Sequence, residues 1–169
     1  MVNLRPYAPD LAAHVFEHLD PFDRLEAEAV RGGPQHYLGL FGDWHAVARS
    51  HIVSVVLTRD APRGEIPFAV AGLANSGVAG VAEAAFLAAN HRRHRFAIAR
   101  AAVRWRPTFQ ELCRDSGISR VEARAWSKHP NAPHFLRHMG FMRECALPGV
   151  GRGGAETFHL YAATFPPES

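Results

Sequence analysis

Four groups of residues in this chain have types and spacings that could do chemistry. Glu83 is the only ionisable residue in the otherwise nearly all-apolar run Val78–Ala88. A carboxylate buried in such a run has a raised pKa and suits a general base that takes a proton from an amine. The same pattern also fits a strand with one face in water, on which Glu83 is simply solvated. The run His91-Arg92-Arg93-His94-Arg95, continued by Arg100, Arg104 and Arg106, is the most basic stretch of the chain. Arg93, Arg100 and Arg104 share a helical face that suits a cofactor phosphate first, an ordinary solvated face next, and a nucleic-acid backbone last. His129, in a polar turn, can donate a hydrogen bond or shuttle a proton, or can be satisfied by its own backbone. His14-Val-Phe-Glu-His18 fits the pattern His-x-x-Glu-His, two imidazoles one helical turn apart, as in one class of zinc peptidases. Leu11, Val15 and Leu19 make that segment an ordinary packing helix, and no third ligand is identifiable, so no metal is expected. His134 and His138 repeat the spacing beside Phe135–Met139 and are expected on the surface.

These residues need elements to hold them. Gly117–Phe141 gives the clearest unit. Val121, Ala123 and Ala125 alternate with polar neighbours in a strand over Ile118–Trp126. Lys128–Asn131 is a turn, and Ala132, Phe135, Leu136 and Met139 then mark one face of a short helix. Asn131 is the expected N-cap, and Gly140 ends the helix. Ahead of this unit, Val2–Arg5 reads as a strand. A helix follows Asp10, and a second follows Asp20 with Pro21 in its first turn, carrying Phe22, Leu25 and Val30 to Gly32-Gly33. Gln35–Arg49 is too apolar for free solvent and is expected to pack on the domain or cover a pocket. Ile52–Leu57, Ile66–Leu73 and Val78–Ala88 form an antiparallel meander. Arg95–Arg114 is a helix with Phe96, Ala99 and Val103 on one face and a kink at Pro107. Met142–Leu147 and Glu156–Thr164 close the chain as a hairpin.

At 169 residues, 47% apolar and 21% charged, this is one domain with a core of its own, spanning 1–165 with a loose tail at 166–169. The formal charge of +3 does not by itself imply nucleic acid. Two cysteines suggest no disulfide framework and a reducing compartment. No run reaches the length of a membrane span, and the first residues lack a signal-peptide core, so a cytoplasmic protein is expected. The layout is α+β around a mainly antiparallel sheet, with the strands flanking the long helix as parallel neighbours.

In this order of elements, from Leu4-Arg-Pro to Tyr161, the chain resembles the GNAT superfamily of acyl-CoA N-acyltransferases. The most specific match is Val121–Phe141, which looks like the superfamily's strand followed by an Asn-x-x-Ala-x-x-x-Tyr-x-x-x-Gly-Phe helix, with Ala132, Gly140 and Phe141 in place. Phe22-Asp-Arg-Leu-Glu-Ala-Glu-Ala, Pro67-Phe-Ala-Val-Ala-Gly-Leu and Phe135-Leu136 look more narrowly like a phage-encoded branch that includes internal virion proteins of short-tailed phages. The resemblance implies a single-domain fold with splayed parallel central strands. It implies acetyl-CoA or another acyl-CoA as cofactor, a small-molecule or protein amine as acceptor, and no membrane. Phe86, Leu87 and Ala88 would hold pantetheine, and His91, Arg92, Arg93, Arg95 and Phe96 would form the phosphate end. Glu83 would be the base, with His129 in place of the family's asparagine.

Besides His129 in place of the asparagine, two departures bear on catalysis. The phosphate loop Asn90–Phe96 has no glycine, although glycine is what lets a backbone approach phosphate closely. The helix tyrosine that often serves as acid is replaced by Leu136, and Tyr161 is the substitute if it points into the gap. These departures favour a second reading, a non-catalytic GNAT-fold protein of phage assembly, in the host cytoplasm or the virion. That reading expects no cofactor-sized gap between the central strands.

Overall fold

The computed structural model describes residues 1–165, so the tail expected at 166–169 lies outside them. The chain begins with β1 (Val2–Pro6), α1 (Pro9–Glu17), α2 (Pro21–Arg31) and α3 (Tyr37–Ala48). The meander β2 (Val53–Ala61), β3 (Gly64–Asn75) and β4 (Val81–Ala88) follows, then α4 (His91–Asp115), β5 (Arg120–Trp126) and α5 (Ala132–Met139). β6 (Met142–Val150) and β7 (Glu156–Thr164) complete a seven-stranded sheet in the order β1-β2-β3-β4-β5-β7-β6. Every pairing is antiparallel except β4 with β5, as the α+β reading expected. A parallel neighbour needs a long crossover, which α4 supplies. Pro67 sits in β3 where the register with β2 shifts between Leu57 and Thr58, a bulge at which a missing N–H does not break the ladder.

Both faces of the sheet are covered. Val15, Phe16, Leu40, Trp44 and Val56 form the core under α1 and α3, so the unassigned stretch Gln35–Arg49 is a helix that packs on the domain. Ala97 and Ala101 of α4 lie against Leu57, Phe68 and Ala88, while Leu136 and Phe141 pack on Val121 and Ala123. α4 differs from the expected helix in two ways. It starts four residues earlier, at His91, and it runs through Pro107 to Asp115 as one helix of 25 residues. The carbonyl that Pro107 leaves without an N–H partner belongs to Val103, which is 67% exposed, so water can satisfy it. The buried stripe is also not the expected one. Ala97, Ala101 and Ala102 face the sheet, whose small side chains let the helix come close, and Phe96 and Val103 point outward. Among the described residues no helix is long and apolar enough to cross a membrane.

The β6–β7 connection leans on α2 through Gly151, whose φ of 79° and ψ of −178° lie in a region open only to glycine. A Cβ there would also overlap the Ala29 carbonyl oxygen, whereas one at Gly149 meets nothing within 4 Å. Gly151→Ala is therefore expected to destabilise the fold by about 3 kcal/mol and Gly149→Ala by about 1 kcal/mol, read from urea midpoints at constant m.

Candidate functional site at the parting of the central strands

β4 and β5 share only three residue pairs, Val81 with Arg120, Ala82 with Val121 and Glu83 with Glu122. Beyond Glu83 the strands diverge and a cleft of about 900 Å³ opens between them. Its floor is apolar, with Ala84 and Phe86 from β4, Ala123 and Ala125 from β5, and Ile98 and Trp105 from α4. Strand alternation turns the N–H and C=O of Ala84 and Phe86 toward the gap, since the Ala88 N–H points there and the Ala89 N–H is spent on Phe68 of β3. Phe135 of α5 stacks on Phe86 across the opening with ring centroids 4.2 Å apart. A cofactor-sized gap is thus present, contrary to what the non-catalytic reading expects.

α2 stands at the open end and reverses the expected helix. Phe22, Leu25 and Val30 are exposed, while Asp23 is 5% exposed and turned inward. Asp23 Oδ2 accepts the Ala88 N–H at 2.6 Å, and Oδ1 accepts from His129 Nε2 at 2.8 Å and lies 3.1 Å from His91 Nε2. One carboxylate therefore ties together the end of β4, the start of α4 and the β5–α5 turn. Burial would raise the Asp23 pKa, but the bonds from His129, His91 and Ala88 together outweigh it and hold the carboxyl below its ordinary range. Burial likewise pulls His91 down, and the Asp23 and Asp20 carboxylates more than reverse it, leaving the imidazole pKa raised.

His129 also caps α5. Its Nδ1 accepts the N–H groups of Asn131 and Ala132 at 3.2 and 3.0 Å, whereas Asn131, the expected N-cap, makes no side-chain cap bond. With Nδ1 accepting, the ring proton lies on Nε2 and points at Asp23. Asp23, His91 and His129 bring two imidazoles and a carboxylate within 4.8 Å of one another, a set that suits a metal by composition. The tautomer does not suit one. A metal on His129 Nε2 would move the proton to Nδ1, against two N–H donors, and uncap α5.

The wall of the cleft also carries Glu83 and Glu26. Glu83 is 54% exposed and 3.7 Å from Arg124, so it lacks the burial expected of a general base. Glu26, one turn beyond Asp23 on α2, is half-buried and comes closer to that condition. Burial lifts its carboxyl to about 7, although the His129 side chain and the Trp126 backbone oppose the shift. Sequence reading missed Glu26. The available signal was the pair Asp23 and Glu26, spaced i, i+3 along α2.

Of the residues singled out from sequence, the cleft brings together Glu83, Phe86, Leu87, His91, Arg92, Arg95 and His129. Four others stand apart. Tyr161 is 3% exposed and packs in the core with Val121 and Ala123, so it does not replace the missing helix tyrosine. Both backbone groups of Ala88 are taken, its N–H by Asp23 and its C=O by the Asp20 N–H. Arg93 lies outside the cleft lining, and Phe96 is 67% exposed on the outer face of α4. The start of α4 also leaves few free amides for a pyrophosphate. Asp20 Oδ2 accepts the His91 N–H at 2.7 Å, Asn90 Oδ1 accepts the Arg93 N–H at 2.9 Å, and the Asn90 N–H binds the His18 carbonyl. The cleft fits a pantetheine arm. The phosphate end fits mainly through side chains, of which Arg92 and Arg95 line it.

No known family profile and no curated protein matches this sequence. Solved structures do. An acetyltransferase of the GNAT family from Bacillus anthracis superposes with a TM-score of 0.72 at 10% identity, over 96% of this chain and 94% of that one. The ribosomal-protein-S18-alanine N-acetyltransferase from Escherichia coli gives 0.64 at 12% identity, over 100% and 97% of the two chains. A GNAT superfamily phosphinothricin acetyltransferase from Sinorhizobium meliloti, solved with acetyl-CoA, gives 0.65 at 11% identity, over 97% and 88%. Along essentially its whole described length, this chain has the fold of the GNAT acetyltransferases.

Proposed function

We propose that this protein transfers an acyl group from an acyl-CoA to a primary amine. The observation that carries the reading is the cleft at the parted strands, with a carboxyl near neutrality, Glu26, on its wall. Acyl-CoA, when bound, would supply an acyl group activated as a thioester. The gap-facing backbone of Ala84 and Phe86 would satisfy the amides of its pantetheine arm. The Arg92 and Arg95 guanidinium groups would take the phosphates in place of the occupied helix amides. On the acceptor side, Glu83, only loosely paired with Arg124, favours a cationic amine, small molecule or protein. Glu26 takes the ammonium proton, because its pKa matches the working pH, a condition that exposed Glu83 does not meet. His129 then acts as a positioning residue that holds the start of α5, rather than as a proton shuttle.

A second reading, a cofactor-free GNAT-fold binding protein such as a phage assembly component, is favoured by the two carboxylates that fill the amides around the start of α4. Calorimetric titration with CoA and acetyl-CoA separates the two. The enzyme reading expects saturable micromolar binding that the double variant Arg92→Ala/Arg95→Ala weakens by about tenfold or more, at 1.4 kcal/mol per factor of ten. Absence of binding at high micromolar ligand would decide for the second reading.

A further inference from the structure

His14-Val-Phe-Glu-His18, which has no part in the cleft, carries a different chemistry. We propose that His14, Glu17 and His18 form a surface site for one divalent transition-metal ion of the zinc type. At the C-terminal end of α1 the ligand atoms of these three residues all lie within 4.8 Å of one another, and the two imidazole rings are 4.4 Å apart. The metal–ligand bonds of such a site are about 2.0–2.2 Å, so small rotamer changes bring the donors onto one ion.

The tautomer favours binding here as it opposes it in the buried cluster. His18 Nδ1–H donates to the His14 carbonyl at 2.9 Å, which leaves the Nε2 lone pair free. This ring-to-carbonyl bond is the usual outer partner of a metal-bound histidine. Glu17 supplies an oxygen donor and a negative charge against Arg93 of α4, the cation within electrostatic reach of His14.

The chain contains its own counterexample. His134 and His138 on α5 have the same spacing, and His138 Nδ1 makes the same bond to the His134 carbonyl, at 2.7 Å. There the residue corresponding to Glu17 is Arg137, whose guanidinium donates to His134 Nδ1 at 2.8 Å. A cation occupies the place of the third ligand, which leaves that pair one donor short and adds like charge against a metal ion. With three donors from the last turn of α1, two of them exposed, water completes the coordination. Glu17 serves as a ligand and not as the base of a hydrolase.

Equilibrium dialysis of the full chain against Zn²⁺ at pH 7.5 tests the site. One ion per chain is expected to bind with a dissociation constant of about 1–10 μM, roughly the −7 to −8 kcal/mol of a three-donor surface site. His14 is half-buried and its replacement could disturb the fold, so the test rests on the exposed residues. His18→Ala is expected to weaken binding by about tenfold or more and Glu17→Gln severalfold, while His134→Ala/His138→Ala leaves it unchanged. No saturable binding, binding indifferent to His18→Ala, or binding lost in His91→Asn would each overturn the proposal. The last outcome would put the ion on the buried cluster.

Discussion

Asp23→Ala is expected to lower the unfolding free energy by about 3–5 kcal/mol, the cost of leaving buried partners of a charge without it. The variant strands the Ala88 N–H, the His129 Nε2–H and His91 together, and all three lie at the junction of β4, α4 and α5. Asp23→Asn keeps the volume and one acceptor oxygen, so about half of that loss is expected. The pH dependence follows from the two shifts. The Asp23 pKa is depressed, so its stabilisation is present above about pH 4 and is lost as pH falls through its native pKa. The His91 pKa is raised, so its share is complete below about pH 6.5 and is lost as pH rises through its native value. The cluster is thus strongest between about pH 4 and 6.5. Thermal unfolding across pH should show both limbs steeper in the wild type than in Asp23→Ala, in which Asp20 still faces His91 and Glu26 still titrates. Two parallel profiles would remove Asp23 from this role.

Glu26→Gln is expected to make the protein more stable and nearly inactive. Lifting a carboxyl from 4.5 to about 7 means that the native state holds a proton the unfolded chain has already released. Stability therefore falls as pH rises from about 4.5 to 7, by about 3 kcal/mol in total. Glutamine removes that loss, so the variant should melt higher than wild type at pH 8 and equally at pH 4. Acyl transfer should drop by about 10²–10⁴-fold, the usual contribution of a positioned base. In the wild type, kcat/KM should rise with pH through about 7 as Glu26 ionises. A Glu26→Gln variant that is stabilised yet fully active would move the proton transfer to another group, with Glu83 the next to replace.

The order of elements was legible because turns, meander strands and the strand–turn–helix of Gly117–Phe141 obey local rules. Helix orientation was harder. Counting apolar positions on α2 selected Phe22, Leu25 and Val30 as the inner face, yet Asp23 is inside and those three are exposed. What decides is the surface α2 meets, an open strand end with unpaired N–H and imidazole groups, which rewards a carboxylate over a leucine. On α4 the same count chose Phe96 and Val103, whereas close approach to the sheet required Ala97 and Ala101. His129 was recognised as a site residue, but its two backbone bonds depend on how the turn folds and could not be read from its neighbours. Glu26 was hidden for a related reason. Its burial comes from the cleft wall, not from residues near it in sequence.

The short β4–β5 pairing also makes the sheet two blocks, β1 to β4 and β5 to β6, held edge to edge by three residue pairs. Each block is laced by longer antiparallel ladders, so breathing of the molecule concentrates at the seam between them. Asp23 spans that seam, gripping Ala88 on one bank and His129 on the other. It acts as a latch on the width of the cleft. The size of molecule the cleft admits is then set by the strength of one buried carboxylate's grip as much as by the side chains that line the walls.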